Sequence, residues 1–435
     1  MKRAVFRNPW LWVPTLYFAE GIPYVLVNNV SLVMFKNLGV PNGELALYTS
    51  LLYLPWVIKP LWSPFVDVLK TKRWWILSMQ VVMTVCFAMV ALSLACFGGN
   101  AAGIGGVFAV SLILFYITAL ASATHDIAAD GFYMLALDSH RQAQFVGIRS
   151  TFYRIATVFG QGVLVMVAGV LERSMESVPA AWSVTLLVSA TVFALMTMWH
   201  TWSLPAPSVD GLRDTARTGK GLLKELASSF VTFFRHKGVW LAILFMLLFR
   251  LPEAFSVKML SPFMLDSVQG GGLGLDTASV GLVYGTVGVI ALTIGGILGG
   301  LAAGRWGLRK MLMPMALSLA LPCAVYLVMA LVQPTSLWFV GACIAFDQFG
   351  YGFGFTAYML YMIWFSRGEF ETSHYAICTA FMALSMMLPG MVAGFLQESL
   401  GYVGFFWMVM ACCVATVLVT ASAARKVEPE YGLKQ

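Results

Sequence analysis

Charged residues are scarce in this chain. Asp, Glu, Lys and Arg make up only 11% of its 435 residues, whereas hydrophobic residues make up 60%. Soluble domains average about 25% charged residues, so a chain this poor in charge cannot cover a water-facing surface. We count about twelve apolar blocks of roughly 20 residues, the length that an α-helix needs to cross a bilayer. In chain order, these predicted spans lie near 10–34, 45–66, 75–97, 104–134, 144–171, 180–203, 239–267, 277–303, 311–332, 336–365, 372–397 and 403–424. The composition therefore predicts an all-α polytopic membrane protein embedded in the lipid bilayer.

Two further absences concern catalysis. The seven cysteines have neither the spacing of metal ligands nor that of a disulfide framework, so we predict no metal and no cofactor. The chain also has no long polar region that could form a catalytic domain or bind a soluble donor. We therefore predict that it is not an enzyme. The alternatives are a membrane enzyme that uses His125 with Asp126, or His374, as a base, and a non-transporting sensor of the same fold.

Basic residues are concentrated in every second connection between the predicted spans. They cluster at 70–73, 213–237 and 305–310, whereas the other connections contain only Lys36 and Arg173. Because Lys and Arg are retained on the cytoplasmic side of a membrane, we predict that both termini are cytoplasmic. This asymmetry explains the net charge of +7, so we do not predict nucleic acid as a partner.

The longest polar stretch lies in the middle of the chain. It follows six predicted spans and becomes amphipathic between Leu222 and Phe233, a pattern typical of a helix lying along a membrane surface. We predict an N-terminal six-helix half at 1–203, a cytoplasmic linker with this amphipathic helix at 204–238, and a C-terminal six-helix half at 239–435. Two six-span halves are typical of transporters built from parallel repeats.

Two basic loops occupy corresponding places in the two halves. Segment 300–310 ends a Gly-rich span in a tight basic turn, and segment 67–73 keeps the acid and the bases but lacks the glycines. The later segment resembles the cytoplasmic signature loop of the major facilitator superfamily. That resemblance implies a fold of twelve transmembrane helices. We expect a gating or structural role for a set of charged residues on or near the cytoplasmic ends of the spans, namely Lys59, Asp67, Arg73, Asp138, Arg149, Arg305 and Arg309.

Three segments make the resemblance more specific. Residues 18–23 are similar to a Phe-Ala-x-Gly-Leu-Pro element, residues 59–67 to Lys-x-Leu-Trp-Ser-Pro-x-x-Asp, and residues 125–130 to Gln-Asp-Ile-x-x-Asp, with a Tyr-Arg pair following at 153–154. All are elements of the AmpG-like muropeptide permease family, part of a wider grouping with acetyl-coenzyme A and siderophore transporters. The resemblance implies proton-driven import of anhydro-muropeptides or related sugar-peptides across a bacterial inner membrane. A siderophore, a peptide or a coenzyme A derivative is the alternative cargo.

Three carboxylates lie inside predicted spans. Asp126 and Asp130 are four residues apart and share one helical face, and Glu20 lies on a polar face of the first span. A carboxylate at membrane depth costs roughly 2.5–3.5 kcal/mol on insertion scales and is usually functional or paired. We predict that these three residues take part in proton coupling. The alternatives are a structural salt bridge for Glu20, and permanent neutralisation of Asp126 and Asp130 by Arg149 or Arg154.

Other polar residues inside the spans predict a binding site for the transported solute. Arg250 can clamp a carboxylate or a phosphate, or can pair with Glu253 across the helix break that Pro252 predicts. Tyrosine faces can stack on sugar rings, although an aromatic stripe is also typical of plain packing. The predicted substrate-binding set is Tyr17, Glu20, Tyr24, Asn28, Arg154, Gln161, Arg250, Glu253, Asp347, Tyr351 and Tyr358.

These observations predict a proton-coupled secondary transporter that imports a medium-sized polar solute by alternating access. Its expected partners are the small-molecule solute, protons and the bilayer. We expect it to act as a monomer.

Overall fold

The computed structural model describes residues 8–98, 101–137, 139–206, 219–368 and 371–431. All regular secondary structure in these residues is helical, which confirms the all-α class. Contacts divide the chain into two compact units. The first is Met1–Leu38 with Ile58–Lys224, and the second is Gly39–Val57 with Glu225–Gln435. Residues 39–57, which the sequence assigns to the N-terminal half, are therefore grouped with the second unit.

The helices begin and end close to the predicted spans. Up to residue 203 they are α1 (Val13–Val25), α2 (Ser31–Asn37), α3 (Asn42–Leu51), α4 (Leu54–Leu69), α5 (Lys72–Phe97), α6 (Ala101–Ala136), α7 (Ser139–Thr157), α8 (Val165–Met175) and α9 (Val178–Ser203). Beyond it they are α10 (Gly219–Arg235), α11 (Val239–Leu248), α12 (Leu251–Leu265), α13 (Thr277–Val280), α14 (Val289–Trp306), α15 (Leu308–Ala320), α16 (Ala324–Val332), α17 (Leu337–Phe365) and α18 (Glu371–Ala424).

Nine segments of the described chain are long and apolar enough to cross a membrane, judged by length and composition. The last of them, Ser373–Ala424, has 52 residues and covers predicted spans eleven and twelve. Within it, α18 bends at the non-helical residue Gly401 (φ 67°, ψ 171°), which lies between these two spans. Predicted spans two and ten fall on α3 with α4 and on α17, which are helical but not among the nine. Helices are thus present in the described chain at all the predicted span positions.

Three spans contain wide, π-helical turns. These turns are Leu26–Val30 in the first span, Val158–Leu164 in the fifth and Gly281–Gly288 in the eighth. A π-helical turn offsets the hydrogen-bond register and is frequent at functional sites. In the first span it follows Pro23, which lies inside α1 and cannot donate a backbone hydrogen bond. The first two turns carry the predicted site residues Asn28 and Gln161.

A chain of buried polar side chains joins four helices of the first unit. The side-chain nitrogen of Gln80 on α5 lies 3.0 Å from Nε2 of His125 on α6. The side-chain oxygen of Gln80 lies 3.0 Å from Nδ1 of His200 on α9. Nε2 of His200 lies 3.0 Å from the hydroxyl of Thr15 on α1. Buried polar groups need such partners, so this chain fixes how α1, α5, α6 and α9 pack. His125 is thus an interior, hydrogen-bonded histidine.

Glycines let α17 pack closely against two neighbours in the second unit. A Cβ atom on Gly352 would collide with the carbonyl oxygen of Leu292 on α14, whereas one on Gly350 or Gly354 would collide with carbonyl oxygens of α15. Gly350 and Gly354 are four residues apart and share a face, and Gly352 lies on the opposite face. Small residues of this kind bring backbones together in membrane proteins, and here they hold α17 between α14 and α15.

The predicted amphipathic helix is present as α10. Phe233 is fully buried in a core of the second unit, where its ring stacks on Phe381 with 6.2 Å between centroids. The hydroxyl of Thr232 lies 3.0 Å from Nε2 of His374 on α18. The C-terminal part of α10 is therefore packed, through Thr232 and Phe233, against helices of the second unit.

Candidate functional site

Three carboxylates and two cations meet inside the first unit. Asp130 on α6 forms a salt bridge of 2.6 Å with Arg149 on α7, and Asp126 on α6 forms one of 3.6 Å with Lys59 on α4. Glu20 on α1 interacts electrostatically with all four of these residues. We call these five residues the carboxylate cluster. Pairing of the aspartates with Arg149 is one of the alternatives that the sequence left open, whereas the pairing of Asp126 with Lys59 was not predicted.

Arg149 is held by aromatic rings as well as by its salt bridge. Its guanidinium carbon lies 4.3 Å from the ring centroid of Tyr17 and 5.2 Å from that of Tyr133, which are cation–π distances. The hydroxyl of Tyr17 also donates to Asp130 over 3.2 Å. Because the side chains of Arg149 and Asp130 remain 29% and 43% exposed, this pair is accessible and is not sealed in a core.

Glu20 differs from the two aspartates because it has no cation of its own. Its Oε2 atom is buried and, within the described chain, has no hydrogen-bond partner. The two cations of the cluster each form a salt bridge with an aspartate. If all three carboxylates were ionised, the cluster would carry one unbalanced negative charge, and like charges that are poorly solvated favour protonation of one carboxyl group. Among its five residues, the carboxylate cluster therefore contains one carboxyl group more than it has cations.

Amide side chains line the wide turns of the first and fifth spans. The Asn29 side chain donates to the oxygen of Gln161 over 2.7 Å, and Asn28 donates to the carbonyl of Tyr24 over 3.0 Å. The Oδ1 atom of Asn28 is buried and has no partner in the described residues. The sequence predicted Asn28, Tyr24 and Gln161 as binding residues but missed Asn29. Arg154, on the same span as Gln161, is half-buried on α7.

Arg250 and Glu253 form an internal pair in the second unit. Two hydrogen bonds of 2.7 and 3.1 Å join the guanidinium to the carboxylate, and Arg250 also donates to the hydroxyl of Tyr351 over 3.0 Å. Both charged side chains are almost fully buried, at 6% and 5% exposure. The helix break occurs as Pro252 predicts, because α11 ends at Leu248 and α12 begins at Leu251. The arrangement matches the structural alternative for Arg250, and a role in binding stays a prediction.

The remaining predicted binding residues of the second unit are buried on α17. Asp347 accepts hydrogen bonds from the hydroxyl of Tyr326 and, over 3.0 Å, from the side chain of Gln348. The hydroxyl of Tyr358 donates to the carbonyl of Met246 over 2.7 Å, and its ring stacks on Phe249. Tyr358 therefore packs between helices, whereas Asp347 is a carboxyl group surrounded by neutral donors.

The predicted gating residues lie in several settings. Arg73 donates to the carbonyl of Thr201 over 2.6 Å, which ties the start of α5 to the end of α9. Arg305 and Arg309 are exposed on either side of the turn between α14 and α15. Asp138 and the side chain of Asp67 lie outside the described residues, so the roles predicted for them stay predictions.

Apolar helical spans that carry charged and amide side chains are typical of polytopic membrane proteins with a functional site, transporters among them. The chain belongs to the Major Facilitator Superfamily, whose sequence model matches residues 15–366. Solved structures of that fold support the assignment. A D-xylose–proton symporter has a TM-score of 0.69 at 14% identity, covering 97% of this chain and 98% of its own. The nucleoside transporter NupG has a TM-score of 0.65 at 14% identity, covering 96% and 98%.

Similar sequences include permeases. The anhydromuropeptide permease of Escherichia coli (strain K12) is 23% identical over 411 residues, which cover 93% of this chain and 77% of the relative. The putative transporter AmpG 4 of Rickettsia conorii is 23% identical over 402 residues, or 90% of each chain. These relatives are permeases and transporters, so the chain is a membrane transporter with AmpG-like homologues and not an enzyme.

Proposed function

We propose that this chain is a proton-coupled importer of an anhydro-muropeptide or a related sugar-peptide, working by alternating access. The observation that carries the proposal is the buried, unpartnered Oε2 atom of Glu20 beside two aspartates that each have a cation. An arrangement with one carboxylate more than it has cations can gain and lose one proton at modest cost. A transporter needs such a group if a proton is to move with its cargo.

The cluster also links protonation to helix packing. Glu20 and Tyr17 lie on α1, Asp130 on α6 and Arg149 on α7. When Glu20 is ionised, it competes with Asp130 for the guanidinium of Arg149. When Glu20 is protonated, this competition ends, and Arg149 interacts with Asp130 and with the rings of Tyr17 and Tyr133. Protonation therefore changes which of these helices attract each other, which is the kind of local charge change that biases a two-state element.

The cargo and the direction rest on similarity. The relative named anhydromuropeptide permease covers almost the whole chain, and the resemblance implies import across a bacterial inner membrane. The amide side chains at the wide turns of the first and fifth spans are suited to hydrogen-bond a sugar or a peptide. We further propose cytoplasmic termini, from the basic connections, and a monomeric transporter.

The test is uptake of labelled anhydro-muropeptide into liposomes that contain the full chain. Under an inward proton gradient we expect accumulation that a protonophore abolishes. Glu20→Gln fixes a neutral side chain of the same size, so this variant should lose gradient-driven accumulation by at least about tenfold. It should retain exchange of labelled for unlabelled solute, because exchange requires no net proton movement. Glu430→Gln, which alters an exposed acid near the C-terminus, is the matched control and should behave as the unmodified protein does.

Each failure has a separate meaning. Uptake that persists after the gradient is collapsed, or accumulation by Glu20→Gln at the unmodified rate, would contradict proton coupling through this cluster. Uptake of a siderophore, a peptide or a coenzyme A derivative in place of the anhydro-muropeptide would overturn the cargo but keep the transporter. No uptake of any of them would favour the sensor alternative.

A further inference from the structure

A buried lysine in the second unit has no anionic partner. Lys258 lies on α12, is 6% exposed, and its Nζ atom donates to the hydroxyl of Thr49 on α3 over 2.9 Å. The same atom lies 5.7 Å from the centre of the Tyr53 ring. No salt bridge joins Lys258 to a carboxylate of the described chain. An unpaired charge in a dry interior is strongly unfavourable, so an ionised Lys258 requires an anion that the described residues around it do not supply.

Several acidic residues on and near the helices that pack against Lys258 lie in other settings. Asp266, at the end of α12, accepts hydrogen bonds from Asn42 and Tyr402. Glu253 on α12 is bound by the arginine that precedes the helix. Glu398 on α18 accepts from the backbone nitrogen of Gly43 over 2.7 Å, and Glu44 on α3 is exposed. Asp347 on α17 accepts from a tyrosine and a glutamine. No salt bridge to Lys258 is thus formed by the described residues of its own unit.

Within the described chain, Lys258 has one hydrogen-bond partner, which is the hydroxyl of Thr49. An ammonium group has three N–H donors, and one is used by Thr49, whose own hydroxyl donates to the carbonyl of Leu45 over 2.6 Å. The hydroxyl of Ser50 next to it is buried and has no hydrogen-bond partner in the described chain. Gly390 on α18 leaves room here, since a Cβ atom on it would strike the Ser50 hydroxyl and would lie 3.1 Å from Cε of Lys258.

We propose that Lys258, with the hydroxyl of Ser50, binds a carboxylate of the transported solute. This inference rests on the proposed function and adds the charge class of the cargo: a solute with at least one free carboxylate. The carboxylate takes the two ammonium N–H groups that Thr49 does not use, and its second oxygen accepts from Ser50. Such charge-assisted bonds are the strong ones. The anion that balances this lysine is supplied by the cargo.

The experiment compares two forms of one probe on the purified full-length protein. One is an anhydro-muropeptide with its free carboxylates, and the other has every carboxylate converted to a carboxamide. Affinities are measured by titration in detergent, which needs neither a proton gradient nor transport. We expect the unmodified protein to prefer the carboxylate form by about 10- to 100-fold, the range for a charged hydrogen bond. Lys258→Met should abolish the preference by weakening binding of the carboxylate form alone, whereas Lys258→Arg should keep most of it.

The controls separate a binding role from a packing role. Lys237→Met removes an exposed lysine next to α11 and should leave both affinities unchanged, and Ser50→Ala should weaken only the carboxylate form, by several-fold. If Lys258→Met keeps the carboxylate preference, or weakens both forms equally, the inference is wrong while the transporter stands. If the unmodified protein binds neither form, the proposed cargo itself is wrong. If it binds both equally, the cargo stands and the carboxylate site does not.

Discussion

The buried pair of Arg250 and Glu253 permits a quantitative test of the alternatives that the sequence left open. Both side chains are about 95% buried, and two hydrogen bonds of 2.7 and 3.1 Å join them. Removing one partner leaves the other as an uncompensated buried charge, which typically costs about 3–5 kcal/mol. Replacing both by methionine removes both charges at similar volume, and such replacements are often close to neutral. The double variant should therefore be more stable than either single variant.

The measurement is a double-mutant cycle on the free energy of unfolding, followed by circular dichroism as SDS replaces a mild detergent. The variants are Arg250→Met, Glu253→Met and the two combined. We expect single-variant losses of about 3–5 kcal/mol and a loss for the double variant that is smaller than either of them. Glu44→Gln, an exposed acid on α3, should change stability by less than about 0.5 kcal/mol. If the loss of the double variant equalled the sum of the two single losses, the reasoning would be refuted, because two residues that stabilise each other give non-additive losses. Single variants as stable as the unmodified protein would refute it also.

Two further predictions concern packing in the second unit and use the same unfolding measurement. Gly352→Ala places a methyl group against the carbonyl of Leu292 and should lower the free energy of unfolding by about 1–3 kcal/mol. The control is Gly300→Ala, whose methyl group meets nothing within 4 Å and which should not destabilise the protein. Equal effects of the two variants would contradict the close contact of α14 and α17. Phe233→Ala on α10 should lower the free energy of unfolding by about 3–5 kcal/mol, because the ring is fully buried. Phe234 is 43% exposed, so Phe234→Ala should lower it far less. The reverse order would mean that α10 presents its other face to the core.

Much of the fold is predictable because its signals are local. A span of roughly 20 apolar residues is helical in a bilayer wherever it packs, since its backbone groups must be satisfied within the segment. The same holds for the break before α12, which needs only Pro252, and for the amphipathic α10. The grouping of residues 39–57 with the second unit has no such local signal. It depends on which surface α3 contacts, and nothing in the sequence of α3 specifies that.

The sequence predicted which charged residues form the candidate site, but only part of how these residues pair with one another. Charges inside apolar spans identify Glu20, Asp126 and Asp130 from the sequence, because their insertion is costly wherever they face. The pairing of Asp126 with Lys59 is different, since it depends on the rotation and depth of α4 against α6. Lys258 likewise depends on tertiary packing. Its lack of a salt bridge to any described carboxylate can be recognised only when its neighbours on other helices are known.

The sequence by itself thus determined the membrane class, the positions of the helices and the residues whose charge requires a function. Hydrophobic length, proline and buried charge act within one helix, so they can be interpreted without knowing what the helix contacts. Only the tertiary structure decided that each aspartate of the carboxylate cluster has a cation, whereas Glu20 forms no salt bridge with a described residue. It likewise decided that Arg250 has its anion, whereas Lys258 has none among the described residues. Charge balance is a property of the space between helices, and that space is set by packing.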